Sequence, residues 1–153
     1  MSAEPSDLAA IIAQVESNDN PQTLRYEPGL MAQWAAMNPV RSAILASISG
    51  LHDCSHDTAR MIACTSWGRY QILGENLYER GLVNVTVFAY VADPKLERLA
   101  FDAFLIRKEI GFALQDIIDD ETKRAKFIAA YNGPAGVSDY WARMQAAIAR
   151  LSQ

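Results

Sequence analysis

The feature that most constrains this chain is a helical spacing of apolar residues that is cut short every ten to fifteen positions. Leu8, Ile11, Ile12 and Val15 stand at i, i+3, i+4 and i+7, one face of an α-helix. Asn18-Asp19-Asn20-Pro21 then stops that helix just after Glu16 and Ser17. The same rhythm repeats along the chain. Ser6 is the expected N-cap of the first helix, and Pro28 suits the first position of a second, which carries Leu30, Met31, Trp34 and Met37 to Asn38-Pro39. A third helix holds Ile44, Leu45 and Ile48, with Gly50 as its stop, and a fourth opens at Ser55 or His56 and runs to about Cys64. Glu75–Arg80 reads as a short helix ending at Gly81. Val83–Val91 reads both ways: Val83, Val85 and Val87 alternate like a strand, while Asn84 can cap a helix. Asp93-Pro94 starts a long helix with Leu96, Leu99, Ala103 and Phe104, and Ile110–Ile118 is a short apolar run. Asp120 caps a helix reaching Tyr131, and the last helix carries Trp141, Met144, Ile148 and Leu151. Short helices with one apolar stripe each must stack on one another, so the expectation is a mostly α fold.

Residues 1–153 suffice for one domain with its own core, and no repeat, linker or low-complexity tract divides them. With 14 Lys+Arg against 18 Asp+Glu, the net charge of −4 argues against a protein that grips a phosphate backbone. No run approaches the roughly 18–20 apolar residues of a membrane span. Met1–Asp7 has no basic residue ahead of the apolar stretch, so no secretory signal is expected. Two cysteines, Cys54 and Cys64, are too few for a disulfide scaffold and would pair only in an oxidising space. His52-Asp53-Cys54-Ser55-His56 with Cys64 matches no common zinc spacing, so no metal is expected and the segment reads as a solvated turn.

Three segments break the helical pattern with residues able to do chemistry. Glu16 ends an apolar helix, where the helix dipole and apolar neighbours both disfavour its charge. A carboxyl kept protonated near neutral pH is what glycosidic cleavage needs as a general acid. Thr65–Ile72 mixes Ser66 and Gly68 with Trp67, Tyr70 and Gln71: glycine allows close backbone approach, the aromatics offer flat faces to sugar rings, and the amide can both donate and accept. Ala129-Ala130-Tyr131-Asn132-Gly133-Pro134 is a helix end and turn whose Tyr131 and Asn132 can hydrogen-bond a substrate or orient Glu16. Taken singly, each reads as readily as a surface Glu, a core turn or a plain helix cap. Met31, Trp34, Trp141 and Met144, at helical spacing, read as core.

Together, in this order, the segments resemble the lysozyme-like superfamily, which includes lytic transglycosylases and goose-type lysozymes. Arg25-Tyr26-Glu27-Pro28, Ser66–Gly74 and Phe127–Pro134 are most similar to the N-acetylmuramidase domain of bacteriophage endolysins, over about residues 8–150. The resemblance implies a single helical domain around a saccharide cleft, with peptidoglycan strands as the partner and no cofactor. It implies attack on the β-1,4 bond between N-acetylmuramic acid and N-acetylglucosamine. Glu16 takes the catalytic glutamate position; Ser66, Gly68 and Gln71 match the substrate-contacting motif; Tyr131 and Asn132 match the pair facing the glutamate.

Glu27 is the best placed second carboxylate, ahead of Asp19, which closes a turn, and Glu75, which opens a helix. A muramidase made without a signal would reach the wall through a holin-type pore, by injection or in a virion. A lytic transglycosylase forming anhydro ends and a non-catalytic glycan-binding module remain the alternative readings.

Overall fold

The structure, a computed structural model, describes residues 7–153. Ser6 lies outside the described residues; the first helix, α1 (Leu8–Ser17), is capped by Asp7, whose carboxylate accepts from the Ala9 N–H. Then come β1 (Leu24–Tyr26), α2 (Pro28–Gln33), α3 (Pro39–His52), α4 (His56–Ala63), β2 (Thr65–Trp67), β3 (Ile72–Leu73) and α5 (Gly74–Tyr78). A 3₁₀ turn (Glu79–Gly81) leads to α6 (Val87–Ala92), α7 (Pro94–Arg107), α8 (Leu114–Asp119), α9 (Glu121–Asn132) and α10 (Val137–Leu151). The fold is mostly α, a single domain, as the spacing of apolar residues predicts. Its core gathers one stripe from each long helix: Ile11 and Ile12 of α1, Ile48 of α3, Phe101 of α7, Phe127 of α9 and Met144 of α10 are all at most 1 % exposed.

Several boundaries differ from the expectations. The second helix ends at Gln33 rather than running to Asn38, because Arg41 reaches back and donates to the Gln33 and Ala36 carbonyls, and Trp34 buries completely. Its indole N–H donates to Glu75 at 2.9 Å. Gly50 does not stop α3. The helix continues to His52, and Asp53 takes the left-handed conformation that ends it. The Val83–Val91 segment resolves into α6, capped by Thr86 instead of Asn84.

The larger departure is a three-stranded antiparallel sheet in the order β1-β2-β3, which the helical pattern does not announce. Each strand is two or three residues long, too short to show an alternation. Its register matters for the site. Arg25 pairs with Ser66, and Ser66 with Leu73, so these three side chains form one row on one face. The sheet is seated tightly: a Cβ on Gly74 would meet the Ile62 carbonyl oxygen at 2.1 Å.

The His52–His56 segment is a turn ahead of α4 with Asp53, Ser55 and His56 exposed, as expected, and only His52 at its start is tied down. His52 sits at the end of α3 with Nδ1 against the Ile48 carbonyl and Nε2 accepting from the Val87 N–H, both at 2.9 Å. Cys54 and Cys64 are free thiols, and burial pushes Cys64 up to about 11.

Candidate active site

Where α1 ends, the sheet row and the end of α9 face one another across a cleft of about 470 Å³. Glu16 lines it from α1, Arg25, Glu27 and Ser66 from the sheet side, Gln71 from the turn before β3, and Tyr131 and Asn132 from the end of α9. Six of the seven residues singled out in the sequence thus converge from four separate stretches of chain.

Glu16 is half-buried at the last turn of α1. Its carboxyl is raised above the ordinary value, mainly by burial; a hydrogen bond from Tyr140 and the charges of Arg143 and Arg25 act in the opposite direction. The Tyr140 hydroxyl donates to Glu16 Oε1 at 2.5 Å, and Tyr140 is 1 % exposed. One turn further along α10, Arg143 donates to the Val15 carbonyl at 2.6 Å, which satisfies one of the open carbonyls at the end of α1. Sequence reasoning assigned neither residue. The signal available was their i, i+3 spacing on the last helix, which indicates a shared face but not what that face meets.

Glu27 leads directly into α2 and faces the cleft two residues on from Arg25, as strand alternation requires. Arg25 Nε lies 2.6 Å from Glu27 Oε1. Ser66 is buried, and among the described residues its hydroxyl has no hydrogen-bond partner, which leaves it available to a ligand.

Gln71 adopts φ +48°, uncommon for a residue with a side chain and typical of functional turns. Both protons of its amide are spent on backbone: Nε2 donates to the Thr23 and Gly68 carbonyls, each at 2.9 Å. Its Oε1 therefore remains as an acceptor, suited to an acetamido N–H or a sugar hydroxyl. The Tyr131 hydroxyl, expected to bond a substrate or orient Glu16, instead donates to the Tyr70 carbonyl at 2.5 Å. Its ring stacks on Phe127 and meets Phe101 and Phe104 edge-on. Tyr131 thereby holds the backbone next to Gln71.

Gly68 is absent from the cleft lining. It sits at φ +75° with its Cα turned to a buried carboxylate: a Cβ there would lie 2.2 Å from Glu97 Oε1. The close approach that this glycine permits is thus to Glu97 rather than to a ligand. Gly68→Ala is expected to cost about 1–2 kcal/mol from the left-handed backbone alone, more from the clash, and chemical denaturation would read it. Trp67 and Tyr70 are not sugar platforms in this cleft either. Tyr70 is buried and stacked on Phe101 at 4.4 Å, and the Trp67 indole donates to the Ile62 carbonyl.

Glu97, with 0 % exposure, accepts from the Arg69 N–H and from Arg69 Nε at 3.0 and 3.1 Å. Arg69 also reaches Asp19 at 2.7 Å, and its carbonyl accepts from the Ser17 hydroxyl at 2.8 Å. The turn that presents Gln71 is thus fastened to the two residues on either side of the end of α1, beside Glu16.

One raised carboxyl, one ion-paired carboxylate and an amide acceptor thus line a single open cleft. Residues 46–152 match the N-acetylmuramidase family. A curated relative, the endolysin of Enterobacteria phage PRD1, is 34% identical over 130 residues, covering 84% of this chain and 87% of the relative. No solved structure matches the chain. The chain belongs to the N-acetylmuramidase family, the peptidoglycan-degrading muramidases. The family match covers Ser66, Gln71, Tyr131, Asn132 and Tyr140; Glu16 and Glu27 lie ahead of it.

Proposed function

We propose that residues 1–153 act as one catalytic unit that cleaves the β-1,4 bond between N-acetylmuramic acid and N-acetylglucosamine, with Glu16 as general acid. The observation that carries this reading is the Glu16 carboxyl itself, raised by burial, lining the cleft and anchored by Tyr140. A protonated Glu16 gives its proton to the leaving glycosidic oxygen as the bond to the anomeric carbon breaks. Ser66, Gln71 and Asn132 contact the sugars on either side, with Gln71 Oε1 accepting from the acetamido group. In the hydrolytic version Glu27 orients water through Oε2, since Oε1 is held by Arg25.

The same ion pair supports a second reading. With Glu27 committed to Arg25, a mechanism that needs only one carboxyl is also served: Glu16 protonates the leaving oxygen, then takes the proton of the sugar's own 6-hydroxyl as it closes an anhydro ring. Hydrolysis adds one water to the product and ring closure adds none. Mass spectrometry of digested peptidoglycan separates the two, and Glu27→Gln should abolish only the hydrolytic route. Either way the site of action is the cell wall, reached through a holin-type pore, by injection or in a virion. Expression without a lysis partner should leave cells intact.

Gln71 and Tyr131 should fail differently. Gln71→Ala removes an acceptor from the cleft and leaves two carbonyls without partners. Activity per folded molecule should fall roughly five- to 150-fold, with about 1–3 kcal/mol of stability lost as well. Tyr131→Phe loses only the bond to the Tyr70 carbonyl, so about 1 kcal/mol of stability should go while turnover per folded molecule changes little. Paired melting and rate measurements would show whether the two signatures separate.

A further inference from the structure

Burial alone would leave the Glu16 carboxyl free to turn, with its proton on either oxygen. We infer that Tyr140 is a positioning residue for Glu16: its hydroxyl occupies Oε1 and thereby favours the carboxyl proton on Oε2, the oxygen left for the cleft. This inference rests on the reading of Glu16 as general acid.

The geometry is specific. The donor is a phenol O–H at 2.5 Å on a ring that is 1 % exposed, so the bond is not shared with water. Tyr140 stands on α10, which packs against α1, and Arg143 on the same helix donates to the Val15 carbonyl, next to Glu16 in sequence. The Arg143 guanidinium also lies over the Tyr140 ring, 5.4 Å from its centroid. One helix therefore holds both the backbone and the side chain of the acid. Among the described residues Glu16 Oε2 has no hydrogen-bond partner. The carbonyl oxygen of an acid is the better acceptor, so a hydrogen bond to the far oxygen favours the proton on the near one, where the glycosidic oxygen must approach.

The other groups bearing on Glu16 are Arg25 from β1, which lines the cleft and pairs with Glu27, and Tyr131 from α9, whose hydroxyl is given to Tyr70. Arg25 and Arg143 favour the ionised carboxylate by their charge. Tyr140 favours it by donating a hydrogen bond, and among the described residues it alone of these groups hydrogen-bonds the carboxyl. A hydrogen bond to the charged form lowers an acid's pKa, so its loss must raise it.

The test compares pH–rate profiles on purified peptidoglycan for wild type, Tyr140→Phe and Arg143→Gln, beside Glu16→Gln. Tyr140→Phe keeps the buried ring and loses only the hydroxyl. The alkaline limb of kcat/KM, where the acid loses its proton, should move to higher pH. The plateau kcat should fall about twofold or more with KM unchanged, because a proton shared between the two oxygens is on the wrong one about half the time. A merely structural role would lower the melting temperature and leave the limb in place. Arg143→Gln, at an exposed position of α10 and the second variant if Tyr140→Phe folds poorly, should also move the limb upward, by loss of charge. A limb that stays or moves down in Tyr140→Phe while Glu16→Gln is inactive overturns the inference and leaves Glu16 standing. An active Glu16→Gln overturns the reading of Glu16 itself.

Discussion

Glu16→Gln is expected to remove nearly all peptidoglycan cleavage while making the folded protein more resistant to heat at neutral pH. The loss follows from the role: the amide keeps the shape and can still accept from Tyr140, but has no proton to give. General acid catalysis contributes about 10²–10⁴-fold, and here the acid has no evident substitute. The gain follows from the environment. Burial raises the folded pKa of Glu16 above its ordinary 4.5. The stability this group contributes is therefore fully present below pH 4.5 and lost as pH rises through its folded value. Gln does not ionise, so it escapes that loss. Melting curves should show the variant above wild type at pH 7, with the gap closing under acid conditions. Turbidity loss of outer-membrane-permeabilised cells would give the activity. Lysis within about fivefold of wild type would remove Glu16 from the role, and a variant less stable at pH 7 would contradict the environment described for it.

The second large effect lies away from the cleft. Arg69→Met should cost about 3–5 kcal/mol, because it strands the carboxylate of Glu97 at 0 % exposure. Glu97→Gln should cost less: it keeps an oxygen for the Arg69 N–H, and the guanidinium, whose side chain is 24% exposed, retains Asp19 and some water. The asymmetry distinguishes a buried ion pair from ordinary packing, which would make both losses similar. Burial raises the Glu97 carboxyl even against the pull of Arg69. Without Arg69 that carboxyl should take up a proton more readily, so the Arg69→Met penalty should shrink under acid conditions and grow as pH rises. Urea unfolding at mildly acidic and mildly alkaline pH would measure both. Asp19→Asn breaks only the outer end of the network, at a side chain 58% exposed, and should change stability by no more than about 1 kcal/mol.

Glu97 also explains why part of the site was hidden in the sequence. It stands in an apolar helix as one more charged residue, Pro94-Lys95-Leu96-Glu97-Arg98, with nothing to mark it as the buried one. Its partner Arg69 is 28 residues away in the chain, and the space for its carboxylate exists because residue 68 is glycine. The motif reading of Gly68 as a place of close approach was apt in its physics but silent on what approaches. Trp67 and Tyr70 show the same limit: composition marks them as flat faces, and only packing decides that Phe101 receives Tyr70.

By itself the sequence determined most of the helices, α6 and α8 excepted, with the end of α1 at Glu16-Ser17, the helix starts at Pro28, Pro94 and Asp120, and the segments that converge on the cleft. These depend on interactions within a few residues: apolar periodicity, a cap, a proline without its N–H. The tertiary structure alone decided the three-stranded sheet, the Glu97–Arg69–Asp19 fastening and the bond from Tyr140 to Glu16. Each joins groups far apart in the chain, 124 residues apart in the last case. Their existence depends on how whole helices pack, and no local spacing of residues encodes that.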